Sequence, residues 1–267
     1  MGSAEVTPRA NVLGTRVSVC TYDGVTALVL DHARRGAPLG VAFQPVHGIT
    51  TAWLDRAYGG VLNALDVVAP DGQPVRWALN WLHRAGLGDR VYGPELTLRV
   101  CAAAAAEGLP VFLYGATDDV LARFAAALRE RFPKVSIAGT LAPPFRDLTD
   151  AEEAAHCETI RASGARLALV GLGCPRQERW VFRNRPRLAM PLLAVGAAFD
   201  FLSGAKAQAP AWMQQRGLEW LFRLASEPRR LAGRYLVLNP LYATLIALQA
   251  LGVPFTEHPA ASSAPRP

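Results

Sequence analysis

Four apolar runs in this chain close on tight-turn residues, and helix-length segments lie between them. The turns are Pro70-Asp71-Gly72, Tyr114-Gly115-Ala116, Gly171-Leu172-Gly173 and Gly196-Ala197-Ala198. Each run (65–69, 110–114, 167–170 and 192–195) is short and almost wholly apolar. That pattern is expected of strands buried on both faces, not of half-exposed alternating ones. Further strands are expected at 17–22, 40–44 and 135–138. Helices are expected at 26–35, 51–65, 102–107, 118–132 and 150–163, with Thr117 and Asp150 as N-caps and Gly36, Gly108 and Gly164 as stops. Pro175 suits the first position of another helix. Strands alternating with helices in this way imply an α/β fold with a mostly parallel sheet and helices on both faces.

Beyond residue 205 the character changes. From Lys206 to Arg234 there are six basic residues (Lys206, Arg216, Arg223, Arg229, Arg230, Arg234) against Glu219 and Glu227. The whole chain of 267 residues carries a formal charge of only +6, so the excess is local. Two basic amphipathic helices, 217–224 and 229–238, are expected there. Residues 237–255 form an apolar segment interrupted by Asn239, Pro240, Thr244 and Gln249, which suits a packed or membrane-interfacial helix better than a span. The expected organisation is a flexible tail at 1–11, an α/β core at 12–205, a basic helical appendage at 206–236, the apolar helix at 237–255 and a disordered tail at 256–267. Residues 1–11 show no apolar run of signal-peptide type.

Several chemistries are disfavoured. Cys20, Cys101, Cys157 and Cys174 form no C-x-x-C pair and have no His at zinc-ligand spacing, so they read as reduced thiols. Gly171-x-Gly173 begins like a dinucleotide fingerprint, but Arg176 stands where the third Gly belongs. No P-loop and no nucleic-acid motif is found, and the basic residues are confined to the appendage.

The Gly turns at the carboxyl edge of a parallel sheet, with helix N-termini behind them, suit a nucleotide or phosphate. Asp71 follows an apolar strand in a turn where its carboxylate can face a cleft and accept a proton, or else merely shape the loop as an Asx-turn. Gly173-Cys174-Pro175-Arg176-Gln177-Glu178 opens a helix whose first turn has free N–H groups, and Gln177 adds a donor and an acceptor. No D-x-D metal motif is present, so arginines would have to neutralise a diphosphate. Arg223, Arg230 and Arg234, spaced by 7 and 4, share one face if the helix is continuous through Pro228.

Taken together, Val67 to Val75, Arg90-Val91-Tyr92-Gly93-Pro94-Glu95-Leu96, Val170 to Glu178, Val195-Gly196-Ala197-Ala198-Phe199-Asp200 and the run from Gly217 to Tyr235 closely resemble the WecG/TagA/CpsF group of bacterial glycosyltransferases. The resemblance implies a Rossmann-like core with a small basic helical appendage. It implies an inverting, metal-independent transfer, with no cofactor, of a hexose or N-acetylhexosamine-type sugar such as N-acetylmannosamine. The donor would be a UDP-sugar and the acceptor a sugar on polyprenyl (undecaprenyl) diphosphate, in exopolysaccharide, teichoic acid or surface antigen synthesis. Asp71 matches the general base. Gln177 matches a donor-site residue, and Arg223, Arg230 and Arg234 match the arginines that close over the diphosphate. Gly93, Tyr114, Gly115, Gly171, Gly173, Pro175, Gly196 and Asp200 are the further candidate substrate-site residues. The implied location is cytoplasmic, peripheral on the inner face of the membrane, with self-association into a homo-oligomer and no nucleic-acid partner. Where the family carries a Thr-x-Asn element upstream of the Asp, this sequence reads Phe43-Gln44-Pro45, with His47, Thr50 and Thr51 as nearby polar residues. That change leaves a non-catalytic nucleotide-sugar-binding protein of a polysaccharide assembly complex as the alternative.

Overall fold

The computed structural model describes residues 8–262. The chain opens with a hairpin of β1 (Arg9–Val12) and β2 (Thr15–Ser18), followed by α1 (Tyr22–Arg35) and β3 (Leu39–Gln44). Next come α2 (Val46–Leu54), α3 (Arg56–Ala64), β4 (Val67–Pro70), α4 (Gln73–His83) and α5 (Gly93–Glu107). Then β5 (Val111–Gly115), α6 (Asp118–Arg131), β6 (Ile137–Leu141), α7 (Asp150–Ala162), β7 (Leu167–Gly171), α8 (Arg176–Leu188) and β8 (Pro191–Ala194) continue the alternation. Four helices complete it: α9 (Ala198–Leu202), α10 (Ala211–Gln215), α11 (Glu219–Ser226) and α12 (Pro228–Ala250). Six strands form a parallel sheet in the order β4-β3-β8-β7-β5-β6, with helices around it. The α/β class expected from the alternation is thus the observed one.

The chain divides into two compact units. Among the described residues the first holds 22–42 and 93–207, and the second holds 8–21, 43–92 and 208–262, so β3 passes from one to the other.

In the first unit β5, β7 and β8 are buried along almost their whole length, as Leu113, Leu169 and Leu193 show at 0% exposure. Thr117 caps α6 through its hydroxyl, which accepts from the Val120 N–H. The cap of α7 is Thr149, not Asp150: Thr149 and Glu152 form a reciprocal capping box, which satisfies two otherwise orphan donors. The helix starts at the expected residue, and the cap lies one residue earlier than expected.

The second unit departs further from expectation. Residues 51–65 are not one helix. Asp55 leaves helical geometry (φ −112°, ψ 92°) and its carboxylate accepts from the Tyr58 N–H, ending α2 and starting α3. The expected loose N-terminal tail contains β1, which the two-residue turn Leu13-Gly14 (φ 52° and 87°) folds onto β2. Positive φ at both positions matches the twist of a tight hairpin. Residues 1–7 lie outside the described residues.

The appendage does not end at residue 236. α12 runs unbroken through Pro240, because Tyr242, Leu245 and Ile246 pack into a core with Val12, Leu13, Ile49 and Leu79. By length and composition α12 could cross a membrane, but these residues belong to the unit's own core. Residues 256–262, expected to be disordered, are pinned. The His258 N–H donates to Gly14 O (2.9 Å), Asn63 Nδ2 donates to His258 O (2.9 Å), and the Ala261 N–H donates to Gly60 O (2.9 Å). The His258 ring is buried against Gly14 and Gly59, where a Cβ would overlap it. Residues 263–267 of the expected tail lie outside the described residues.

Candidate functional site

In the first unit the expected site glycines divide by physical role. Gly115 and Gly171 are partners in the β5–β7 register. Gly115 has φ +127°, and a Cβ there would collide with the backbone of Gly171. A Cβ on Gly171 would stand 2.8 Å from the Phe199 ring. These two glycines let strand ends and α9 approach closely. Gly173 differs: its φ is +80° and open space surrounds its absent side chain. It is a turn glycine required by its positive φ and not by crowding. Pro175 follows a cis bond and immediately precedes α8.

Gln177 is buried and its amide is engaged within the protein. Oε1 accepts from the Gly173 N–H (3.2 Å), while Nε2 donates to Ala194 O (3.0 Å) and to Glu178 Oε1 (3.0 Å). It braces the turns after β7 and β8, and a Cβ on Gly196 (φ +54°) would press on it at 3.1 Å. Tyr114 is fully buried. Its ring stacks on Trp180 (4.4 Å) and its hydroxyl bonds His156 Nδ1 (3.0 Å). Burial pushes the Tyr114 phenol up, so it stays protonated. Asp200, in the first turn of α9, pairs with Lys206 at 3.0 Å. Gly93 is buried at the start of α5 and its carbonyl accepts from the Thr97 hydroxyl (2.8 Å).

The second unit contains a pocket of about 260 Å³. Asp71, His47, Arg90, Glu219 and Arg223 are among its lining residues. Asp71 is presented by the end of β4: its N–H donates to Gln44 O (3.3 Å), and the next residue, Gly72, caps α4. Arg90 is buried and pairs with Glu219 at 2.9 Å, its guanidinium lying 4.1 Å from the Tyr92 ring centroid. Burial disfavours the Arg90 charge, but Asp71 and Glu219 outweigh it and raise its pKa. The Tyr92 hydroxyl donates to Glu219 (3.3 Å), and burial together with that carboxylate holds the phenol up.

The expected arginine face is corrected. Glu227 (φ −135°, ψ 59°) breaks the chain between α11 and α12, and Pro228 starts the new helix, so Arg223 and Arg230 occupy different helices. Arg223 lines the pocket. Arg234 acts on the same wall electrostatically: burial first, then Arg234 and Arg223, hold His47 down to about 3. Arg230 is half-exposed and paired with Glu227. The structure therefore brings Asp71 and Arg223 into one pocket with His47, and directs Arg230 to a carboxylate outside it.

A family model described as the glycosyl transferase WecG/TagA/CpsF family matches residues 10–254. The chain belongs to that family. Both α12 and the Asp71 pocket of this glycosyltransferase lie inside the matched span, whereas the pinned segment 256–262 lies beyond it. Sequence reasoning gave no role to Arg90 or Glu219. Arg90 sat in a recognisable motif, and Glu219 was an acid inside a basic run, a charge out of place that marks a buried partner. Among the described residues no group of three His, Cys, Asp or Glu side chains stands together as a metal site.

Proposed function

We propose that this glycosyltransferase moves a hexose or N-acetylhexosamine-type sugar, with inversion and without a metal, from a UDP-sugar to a sugar on a polyprenyl diphosphate. The observation that carries the reading is the shared pocket of Asp71 and Arg223, a carboxylate and a cation facing one volume. In this reading an acceptor hydroxyl attacks the anomeric carbon and its proton passes to Asp71. The bond from that carbon to the β-phosphate oxygen breaks, and the electron pair leaves with UDP. A positioned base contributes about 10²–10⁴-fold. The anomeric carbon becomes oxocarbenium-like on the way, by analogy with glycoside hydrolysis. Arg223 and Arg234 offset the charge growing on the diphosphate, as preorganised cations do. Arg230, expected in the same role, contributes at longer range from its pair with Glu227.

Within the first unit, Gly173 leaves space just before the start of α8, a setting of its own suited to a phosphate or nucleotide. Gln177 acts there by bracing the turns after β7 and β8. Work at the inner membrane face is supported by exposed Leu236 and Val237 on α12 beside exposed Arg229 and Arg230.

The test is UDP release by the purified protein with EDTA present. A panel of UDP-sugars is offered with a short-chain polyprenyl-diphosphate-linked sugar. Acceptor-dependent release with one donor is the expected result. UDP binding without release from any pair would overturn the reading in favour of a non-catalytic binding protein.

A further inference from the structure

β3 delivers no polar side chain to the Asp71 pocket, although it ends beside it. Gln44, its last residue, is fully buried, and its Oε1 accepts from the Tyr58 hydroxyl (3.3 Å). The side chain occupies the space where a Cβ at residue 48 would be, so only Gly48 admits this rotamer. Gln44 thus supports Asp71 from inside through its carbonyl and turns its amide away. The next polar side chain along the chain is His47, in the first turn of α2, and it lines the pocket with Asp71 and Arg223.

We infer that His47 is a diphosphate ligand of this pocket and that it takes up a proton when the diphosphate binds. The inference rests on the reading that Arg223 and Arg234 hold that group. Arg223 from α11 and Arg234 from α12 act on the ring, while Asp71, Arg90, Glu219, Tyr235 and Tyr242 complete the charged and titratable lining. Among the described residues the His47 side chain makes no hydrogen bond. In the protein alone, burial and the two cations keep the imidazole neutral. A diphosphate against the arginines reverses the field at the ring. The neutral N–H then gives way to an imidazolium, which makes a charge-assisted bond to a phosphate oxygen. UDP and a polyprenyl diphosphate both present this chemistry.

The experiment is calorimetric titration of the full chain with UDP and, separately, with geranyl diphosphate. Buffers of different ionisation enthalpy at pH 6.5 give the protons taken up, and the better ligand identifies which diphosphate the site serves. Wild type should take up a fraction of a proton. His47→Gln should take up less and bind roughly 10–100-fold more weakly, the range for losing a hydrogen bond to a charged group. Equal proton uptake and equal affinity in the two proteins would overturn the inference while leaving the transferase reading intact. Failure of wild type to bind either diphosphate would overturn both. If His47→Gln does not fold, imidazole NMR of wild type decides: the His47 titration must move to higher pH with ligand, and an unmoved titration refutes the proposal.

Discussion

Arg90 and Glu219 form a 2.9 Å ion pair at 8% and 14% side-chain exposure, joining the segment after α4 to the first residue of α11. Removing Glu219 leaves the buried Arg90 charge with only Gln214 (3.1 Å) and the Asp71 carboxylate to offset it, so the loss approaches that of a broken buried pair, about 3–5 kcal/mol. Glu219→Ala should lower stability in urea by an amount of that order. Replacing both residues with apolar ones of similar volume should recover most of it. A single variant within about 1 kcal/mol of wild type would show that water reaches the pair and screens it.

Asp71→Asn keeps the shape of the turn and removes the proton acceptor. Turnover should fall by roughly 10²–10⁴-fold while the Kd for UDP changes little. Loss of UDP binding in parallel would mean that Asp71 holds the β4–α4 turn together and is not the base.

Gly59 is required by His258, whose ring fills the place of its side chain. Gly59→Ala should destabilise by about 1–3 kcal/mol, the cost of overpacking. It should also speed hydrogen exchange at the His258 and Ala261 amides, whose acceptors are Gly14 O and Gly60 O. Adding His258→Ala removes the clash, so the double variant should be more stable than the sum of the single changes predicts. Strict additivity would show that the two residues do not press on each other.

The depressed pKa of His47 has a definite sign in stability. The unfolded imidazole titrates near 6.5 and the folded one near 3. Between those values the unfolded chain binds more protons, so stability is whole above pH 6.5 and falls as pH drops towards 3. The urea midpoint should therefore decline from pH 7 to pH 4, and less steeply in His47→Gln. Parallel slopes for the two proteins would assign the acid sensitivity to other groups.

Vesicle binding tests the surface of α12. Each basic residue near an anionic bilayer contributes about 1 kcal/mol, so Arg229→Gln with Arg230→Gln should weaken sedimentation with anionic vesicles by roughly 30-fold. Leu236→Asp should weaken binding to neutral vesicles as well. Unchanged binding in all variants would place the lipid contact elsewhere.

The strands were legible because each buried apolar run closes on residues that force a turn, and Thr117 was legible as a cap because its partner is three residues away. Asp55 shows the limit of that logic. It sits inside a helical apolar pattern, yet its carboxylate prefers the Tyr58 N–H, and a single local bond splits the segment in two. The arginine face failed for the same kind of reason, since spacing by 7 and 4 means something only on an unbroken helix and Pro228 begins a new one. His47 was visible only as a polar residue near an altered motif. Its neighbours Arg223 and Arg234 are remote in the chain, and no local pattern connects them. The segment 256–262 reads as disordered by its Ala, Ser and Pro content. What orders it is a groove between glycines at 14 and 59, which composition cannot reveal.

The bond from Asn63 to the His258 carbonyl spans 195 residues of chain. During synthesis the N-terminal hairpin and the turn bearing Asp71 leave the ribosome long before the residues that close their unit are made. The first unit, whose last residue is 207, can form in the meantime. The second unit is therefore completed late in translation, with the packing of α12 and the seating of His258. A stalled or shortened chain would carry a finished first unit and an exposed, unfinished Asp71 unit, and such a species is the one that chaperones and proteases would meet.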